Sequence, residues 1–261
     1  MMTIRRQVLA TAASLTMALT AGSALAGEAV SYQADGADYE GYYAPATTEG
    51  EGMGLVLIIH DWDGLTDYER QRADMLAALG YDAFAVDLYG AGNRPETTEA
   101  KKAETGKLYE DREAMRSRIL AGLETARSQS DAGEAVVMGY CFGGAAVLEL
   151  ARSGKASDIA GYATFHGGLD TPEGQSYPSD TPPILIEHGG ADTSISIDDA
   201  ANLAKTLEEA GIPYQLDIYS GAPHAFTVIG SDRYDATADK RSWVIFGLFL
   251  QDTLGNGTTA N

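Results

Sequence analysis

The residue types able to do covalent chemistry converge on one position. Cys141 is the only cysteine among 261 residues, and it stands in Gly139-Tyr140-Cys141-Phe142-Gly143. An apolar run (Ala135, Val136, Val137, Met138) precedes this segment, and Gly143-Gly144 lead into the helix-forming stretch AAVLELA. That order predicts a strand, a tight turn and a helix, with the thiol at the tip. The pattern is G-x-S-x-G with cysteine in place of serine, and its glycines let a strained backbone cross itself closely.

A thiol nucleophile needs a base, and the base needs a carboxylate to orient it. Asp192 follows Gly189-Gly190, and His224 follows Gly221-Ala222-Pro223. The order nucleophile, acid, histidine differs from the orders in trypsin-like and subtilisin-like proteases and is that of α/β-hydrolases. Acyl transfer also requires donors for an oxyanion. One is the N–H after the nucleophile, here Phe142. The other comes from the loop after an earlier strand, here Asp61-Trp62-Asp63-Gly64 with Trp62 as donor.

The elements that must position these residues alternate along the chain. Tyr32 to Ala46 reads as a peripheral antiparallel hairpin turning at Gly36. Gly54 to His60 (GLVLIIH) is an apolar strand covered on both faces. Thr66-Asp67-Tyr68-Glu69 is a capping box opening a helix that ends at Gly80. Tyr81 to Leu88 is the next strand, and a charged helical region follows, with an interruption expected near Gly106. Further strands are expected at Ala160 to Phe165, Ile184 to Ile186 and Tyr214 to Tyr219. A helix is expected after Ser196, and Trp243 to Leu250 reads as a C-terminal helix docked on the core. Strands alternating with helices call for an α/β fold: a mostly parallel central sheet with helices on both faces. Ligands then bind outside the carboxyl ends of the strands, where His60-Asp61, Cys141, His166, Asp192 and His224 all fall. The long Pro-, Gly- and Ser-rich loop from Leu169 to Pro183 is a candidate border of that site.

Residues 1–26 read as an export signal, with Arg5-Arg6, an apolar segment from Val8 to Ala21, and Ala24-Leu25-Ala26 as a cleavage site. The apolar segment falls short of the roughly 20 residues a spanning helix needs. The expected mature chain is one domain over 27–254 with a tail over 255–261, placed in the periplasm or outside the cell. Either the general or the twin-arginine route is open to it. The formal charge of −20 argues against nucleic acid and anionic membranes as partners. Solubility or a salty medium is the plain account of that charge. A single cysteine in an oxidising compartment is buried, paired between chains, or chemically employed, and its place on the turn favours employment.

The segments GYCFGG, HDWDG (60–64), DLYG (87–90), FHGG (165–168), HGGAD (188–192) and GAPHAF (221–226) resemble those of the dienelactone hydrolase (carboxymethylenebutenolidase) family. The resemblance runs from the Gly54 strand to the C-terminal helix. It implies an α/β-hydrolase fold and a hydrolase of an ester or lactone. Cys141 is then nucleophile, His224 base and Asp192 acid, with the N–H groups of Trp62 and Phe142 as the oxyanion hole. It also implies that Asp61, standing where the family has glutamate, modulates the nucleophile. Where family members that open dienelactone carry an arginine after the histidine, this chain has Ala225-Phe226-Thr227-Val228, which favours a neutral substrate.

Other readings of the same residues are plainer. His60, Tyr140 and His166 are candidates to line the pocket, and His166 and His188 read as structural or pocket-lining rather than catalytic, since one base suffices. His60-Asp61-x-Asp63 lacks a second nearby histidine for a metal site, and the glycine pairs form no nucleotide-binding motif. No cofactor and no metal are expected, the partner is a small molecule, and a monomer is the default. The rival function is an exported binding protein that keeps the fold without efficient catalysis.

Overall fold

The structure, a computed structural model, describes residues 27–47 and 52–255. The expected export signal lies outside the described residues, as does the tail beyond Gly255. In chain order the elements are β1 (Glu28–Ala34), β2 (Ala37–Ala44), β3 (Leu55–Ile59), α1 (Asp67–Ala78), β4 (Asp82–Val86), α2 (Thr98–Glu110), α3 (Arg112–Gln129), β5 (Ala135–Tyr140), α4 (Phe142–Ser153), β6 (Ile159–Phe165), β7 (Ile184–Gly189), α5 (Ile197–Ala210), β8 (Tyr214–Tyr219) and α6 (Ala236–Leu254).

The strands form one sheet in the order β1-β2-β4-β3-β5-β6-β7-β8. From β4 to β8 all neighbours are parallel, while β1 and β2 add an antiparallel edge. That edge is a hairpin closed by Asp35 (φ 51°) and Gly36 (φ 76°), the two left-handed residues a tight type I′ turn requires. The sheet is the α/β architecture that the alternation of elements implies.

Side chains of a strand alternate between faces, and β3 shows how both faces are filled. Leu55, Leu57 and Ile59 join a core with residues of α3, α4 and α5, whereas Val56 and Ile58 join a core with α1 and α6. All five are fully buried, which explains the unbroken apolar run in the sequence. Burying each such side chain contributes about 1.5–3 kcal/mol.

Three boundaries differ from the sequence expectation. The charged helical region breaks at Asp111, and Gly106 stays inside α2. Asp111 accepts the Ala114 N–H at 3.0 Å and so caps α3, whereas one glycine inside a helix costs only about 1 kcal/mol. Strand β7 runs on to Gly189, so Glu187 and His188 are buried strand residues that pair beside β8. The last helix begins at Ala236, capped by the Asp235 carboxylate, well before the apolar stretch.

Two buried ionic clusters tie helices together. Glu149 of α4 accepts from Arg112 at 2.9 Å, Arg116 at 2.5 Å, Gln175 at 3.2 Å and Arg152 at 3.3 Å. Arg72 of α1 bonds Asp239 of α6 and, at 2.7 Å, the carbonyl of Thr227 just after His224. The second cluster therefore anchors the loop that carries His224.

Candidate active site

The strand order reverses about β3, since β4 lies on one side of it and β5 on the other. The loops after β3 and β5 consequently meet at the carboxyl edge, the position where such sheets bind ligands. Close packing completes the meeting. A Cβ on Gly143 would lie 2.2 Å from the Ile59 carbonyl and 2.5 Å from that of His60, so only glycine lets the start of α4 approach the end of β3. Cys141 itself takes φ 50° and ψ −110°, a conformation that costs a non-glycine residue about 1–3 kcal/mol. Its N–H is held by the Phe165 carbonyl at 3.0 Å.

The structure brings Cys141, His224 and Asp192 into hydrogen-bonding order. His224 Nε2 lies 3.1 Å from Cys141 Sγ, and Nδ1 lies 2.8 Å from Asp192 Oδ2. The other carboxylate oxygen of Asp192 accepts the N–H groups of Ser194 at 2.7 Å and Ile195 at 2.9 Å. Burial works against charge on His224, but the bonds to Asp192 and Cys141 outweigh it and push the imidazole up to about 9. Burial likewise opposes the Asp192 charge, and the bonds from His224 and Ile195 overcome it and hold that carboxyl below its usual range. Such a set can pass a proton from sulfur to nitrogen and hold it there.

Trp62 and Phe142 both line the pocket that Cys141 and His224 open into, a space of about 370 Å³. Phe142 is the first residue of α4, whose leading N–H groups have no helical acceptor. Asp61 lines the same pocket. Burial first, then the nearby Asp63 charge, push its carboxyl up to about 6, and burial with the Asp61 charge pushes Glu69 up to about 8.

Three residues expected to line the pocket do not. His60 is fully buried behind the loop, with Nδ1 2.6 Å from the Asp61 carbonyl oxygen and Nε2 3.1 Å from the Leu88 nitrogen. With both ring nitrogens engaged by backbone, it offers nothing to a metal. Tyr140 is the last residue of β5, and strand alternation sends it to the α1–α6 face, 4.9 Å from the Tyr68 ring. His166 is fully buried, bonds Thr227 Oγ1 through Nε2 at 2.8 Å, and packs edge-on against His224 at 5.4 Å. Burial pushes its pKa well down, so it stands behind His224 as an uncharged ring. His188 is buried within β7. The loop from Leu169 also departs from expectation: Gln175 and Tyr177 bond Arg152 at 2.7 and 3.1 Å, so it packs over α4, and only Gly168 before it reaches the pocket.

Sequence reasoning missed the opposite wall. Tyr109 of α2 lines the pocket and packs edge-on against Phe142 at 5.5 Å. Ala225 and Val228, within the stretch after His224 where the resemblance leads to an arginine, line it too. So does Arg233, which makes no ion pair among the described residues. The available signal was a lone arginine nine residues after His224 in a strongly acidic chain.

The chain is similar in sequence and fold to known proteins. The model of the dienelactone hydrolase family matches residues 40–254. A Salmonella typhimurium protein provisionally named carboxymethylenebutenolidase is 26% identical over 244 residues, covering 87% of this chain and 88% of its own length. A Bradyrhizobium protein provisionally named 2-oxo-3-(5-oxofuran-2-ylidene)propanoate lactonase is 26% identical over 204 residues, covering 72% and 79%. Among solved structures, a dienelactone hydrolase-like promiscuous phosphotriesterase from metagenomic libraries superposes with a TM-score of 0.78 at 26% identity, covering 87% of this chain and 98% of its own. With the family model spanning the sheet from β2 to α6 and enclosing every residue of the pocket described above, this chain is a hydrolase that belongs to the dienelactone hydrolase family.

Proposed function

We propose that the protein hydrolyses a carboxylic ester or lactone through a thioester on Cys141. The observation that carries this is the continuous hydrogen-bonded line from Cys141 Sγ through His224 to Asp192 at the mouth of a pocket. The proton of the Cys141 thiol rests on His224 Nε2, and the sulfur, as thiolate, adds to the substrate carbonyl. The resulting oxyanion lies between the N–H groups of Trp62 and Phe142. As the tetrahedral adduct collapses, the C–O bond to the leaving oxygen breaks and His224 returns its proton to that alkoxide. A water molecule, deprotonated by the now neutral His224, then attacks the thioester; the C–S bond breaks with its electron pair on sulfur, and the acid and the Cys141 thiolate beside protonated His224 are regenerated. Asp192 keeps the imidazole in the tautomer and orientation both half-reactions need.

Pocket chemistry narrows the substrate. Trp62, Tyr109, Phe142, Ile195 and Val228 give an apolar wall for an uncharged ester or lactone body, and Arg233 offers one place for a carboxylate. Asp61, with a carboxyl near neutrality in its titration, stands in the same space as the thiol and modulates its reactivity. We place the mature enzyme outside the cytoplasm on the pattern of residues 1–26, which amino-terminal sequencing of the secreted or periplasmic protein checks. A hydrolysis screen of neutral and carboxylate-bearing lactones and short esters tests the function, with Cys141→Ala as the blank. Turnover of any of them that disappears in the folded variant supports the proposal, and equal turnover by Cys141→Ala contradicts it.

A further inference from the structure

The ring of His60 is buried at the end of β3, directly behind the loop that lines one side of the pocket. Two contacts fix which nitrogen carries its proton. The Leu88 backbone nitrogen can only donate, and it sits 3.1 Å from Nε2, so Nε2 must be the bare acceptor. The proton of the neutral ring is therefore on Nδ1, which donates to the Asp61 carbonyl oxygen at 2.6 Å. Burial pushes the pKa of this histidine down to about 4, so the ring stays neutral through the ordinary working range. Edge-on packing against Tyr89 at 4.6 Å holds the ring plane.

The Asp61 carbonyl belongs to the same peptide unit as the Trp62 N–H. No peptide among the described residues is cis, so in this unit C=O and N–H point in opposite directions. A carbonyl drawn back toward His60 turns the Trp62 N–H the other way, toward the pocket that Asp61, Trp62 and Cys141 line. The same bond polarises the peptide, since hydrogen bonds in series strengthen one another in a low-dielectric interior. Tyr89 secures the next peptide unit by donating to the Trp62 carbonyl at 3.2 Å.

Resting on the function proposed above, we infer that His60 is a positioning residue of the reaction: as a neutral ring protonated at Nδ1, it grips the Asp61–Trp62 peptide and aims the Trp62 N–H at the developing oxyanion. His60 touches neither substrate nor sulfur. Its contribution is confined to steps that build charge on the carbonyl oxygen.

That confinement supplies the test. Alkylation of Cys141 by iodoacetamide forms no oxyanion, whereas ester hydrolysis does. His60→Phe keeps the aromatic packing and removes the donor; kcat is expected to fall at least about tenfold, against about 10²–10³ for outright loss of an oxyanion donor. KM and the alkylation rate are expected to stay within about threefold of wild type. His60→Asn, whose side-chain amide nitrogen can reach the place of Nδ1, is expected to recover part of kcat, and it carries the comparison if the Phe variant does not fold. A nitrogen-15 spectrum of the wild-type imidazoles reads the bond without any activity: one ring should show its proton on Nδ1 and a bare Nε2, unchanged between pH 6 and 9. A His60 proton on Nε2, a His60→Phe enzyme with wild-type kcat, or equal losses in kcat and alkylation would overturn the inference. Wild type that hydrolyses no ester or lactone would sink the proposed function instead, and the imidazole spectrum alone would then decide the grip.

Discussion

Replacing Asp192 by Asn should collapse the one charged histidine in the protein. The chain has four histidines. Burial pushes His60 down to about 4 and drives His166 and His188 below their usual value. His224 alone rises, to about 9, because the bonds to Asp192 and Cys141 exceed its burial penalty. At pH 7, therefore, one imidazole of four carries a proton on both nitrogens. In Asp192→Asn the amide oxygen can keep the Ser194 and Ile195 N–H bonds, so the loop has reason to stay in place while the charge and the acceptor for His224 Nδ1 are lost. Burial then faces only the Cys141 contact, and the midpoint should fall by at least about one unit, or about 1.4 kcal/mol of lost imidazolium stabilisation. The corresponding aspartate-to-asparagine change in a serine triad costs about 10⁴ in kcat through the wrong tautomer, and a loss of about 10²–10⁴ is expected here. Proton NMR titration of the imidazole C2–H signals checks this directly, with circular dichroism as the control for fold. A midpoint still near 9 in the variant, or a second histidine titrating near neutrality in wild type, would refute the electrostatic reasoning.

Four other outcomes follow from the same geometry. His224 has a folded pKa of about 9 against an unfolded value of about 6.5, so its stabilisation is whole below about pH 6.5 and is lost as pH rises through 9; wild type should lose up to about 3 kcal/mol across that window in denaturant titrations, and Asp192→Asn much less. Asp61 and Glu69, raised to about 6 and 8, also bind protons more tightly when folded, so stability falls as pH climbs from about 4 to 8, and Glu69→Gln should flatten that slope. Glu149→Ala strands the buried guanidinium of Arg152 and should cost about 3–5 kcal/mol in thermal unfolding, with kcat per folded molecule unchanged at 25 °C. Arg233→Ala should raise KM for carboxylate-bearing lactones about tenfold or more and leave neutral esters unaffected, which steady-state kinetics on matched substrates would show.

What could be read from sequence was set by backbone chemistry. The strands announced themselves because both faces of a parallel sheet are covered, leaving apolar runs such as Leu55 to Ile59. Thr66 and Glu69 marked the start of α1, and the glycines beside Cys141 marked a close crossing that Gly143 indeed makes with the end of β3. Placing Asp192 and His224 after strands put them at one sheet edge, because parallel strands share their carboxyl ends. Side-chain direction was harder. Tyr140 and His166 adjoin the site in sequence, yet strand alternation and the buried contact with Thr227 carry them behind it. Arg233 and Tyr109 reach the pocket from a loop and a helix whose placement depends on packing across the sheet; the isolation of Arg233 in an acidic stretch is the one local signal, and Tyr109 has none. Gly106 is the more conspicuous breaker in the sequence, but a single glycine does not end α2, and the capping carboxylate of Asp111 decides where the next helix begins.

The central claim is that Cys141 carries the acyl group. Intact-protein mass spectrometry of the enzyme quenched in acid within milliseconds of mixing with an activated ester tests it most directly. The account predicts one added acyl mass, located by peptide mapping on Cys141, that decays at the rate of turnover and is absent from Cys141→Ala. Turnover of the same ester with no acyl mass on Cys141 at any time point, or with the mass on another residue, would contradict it.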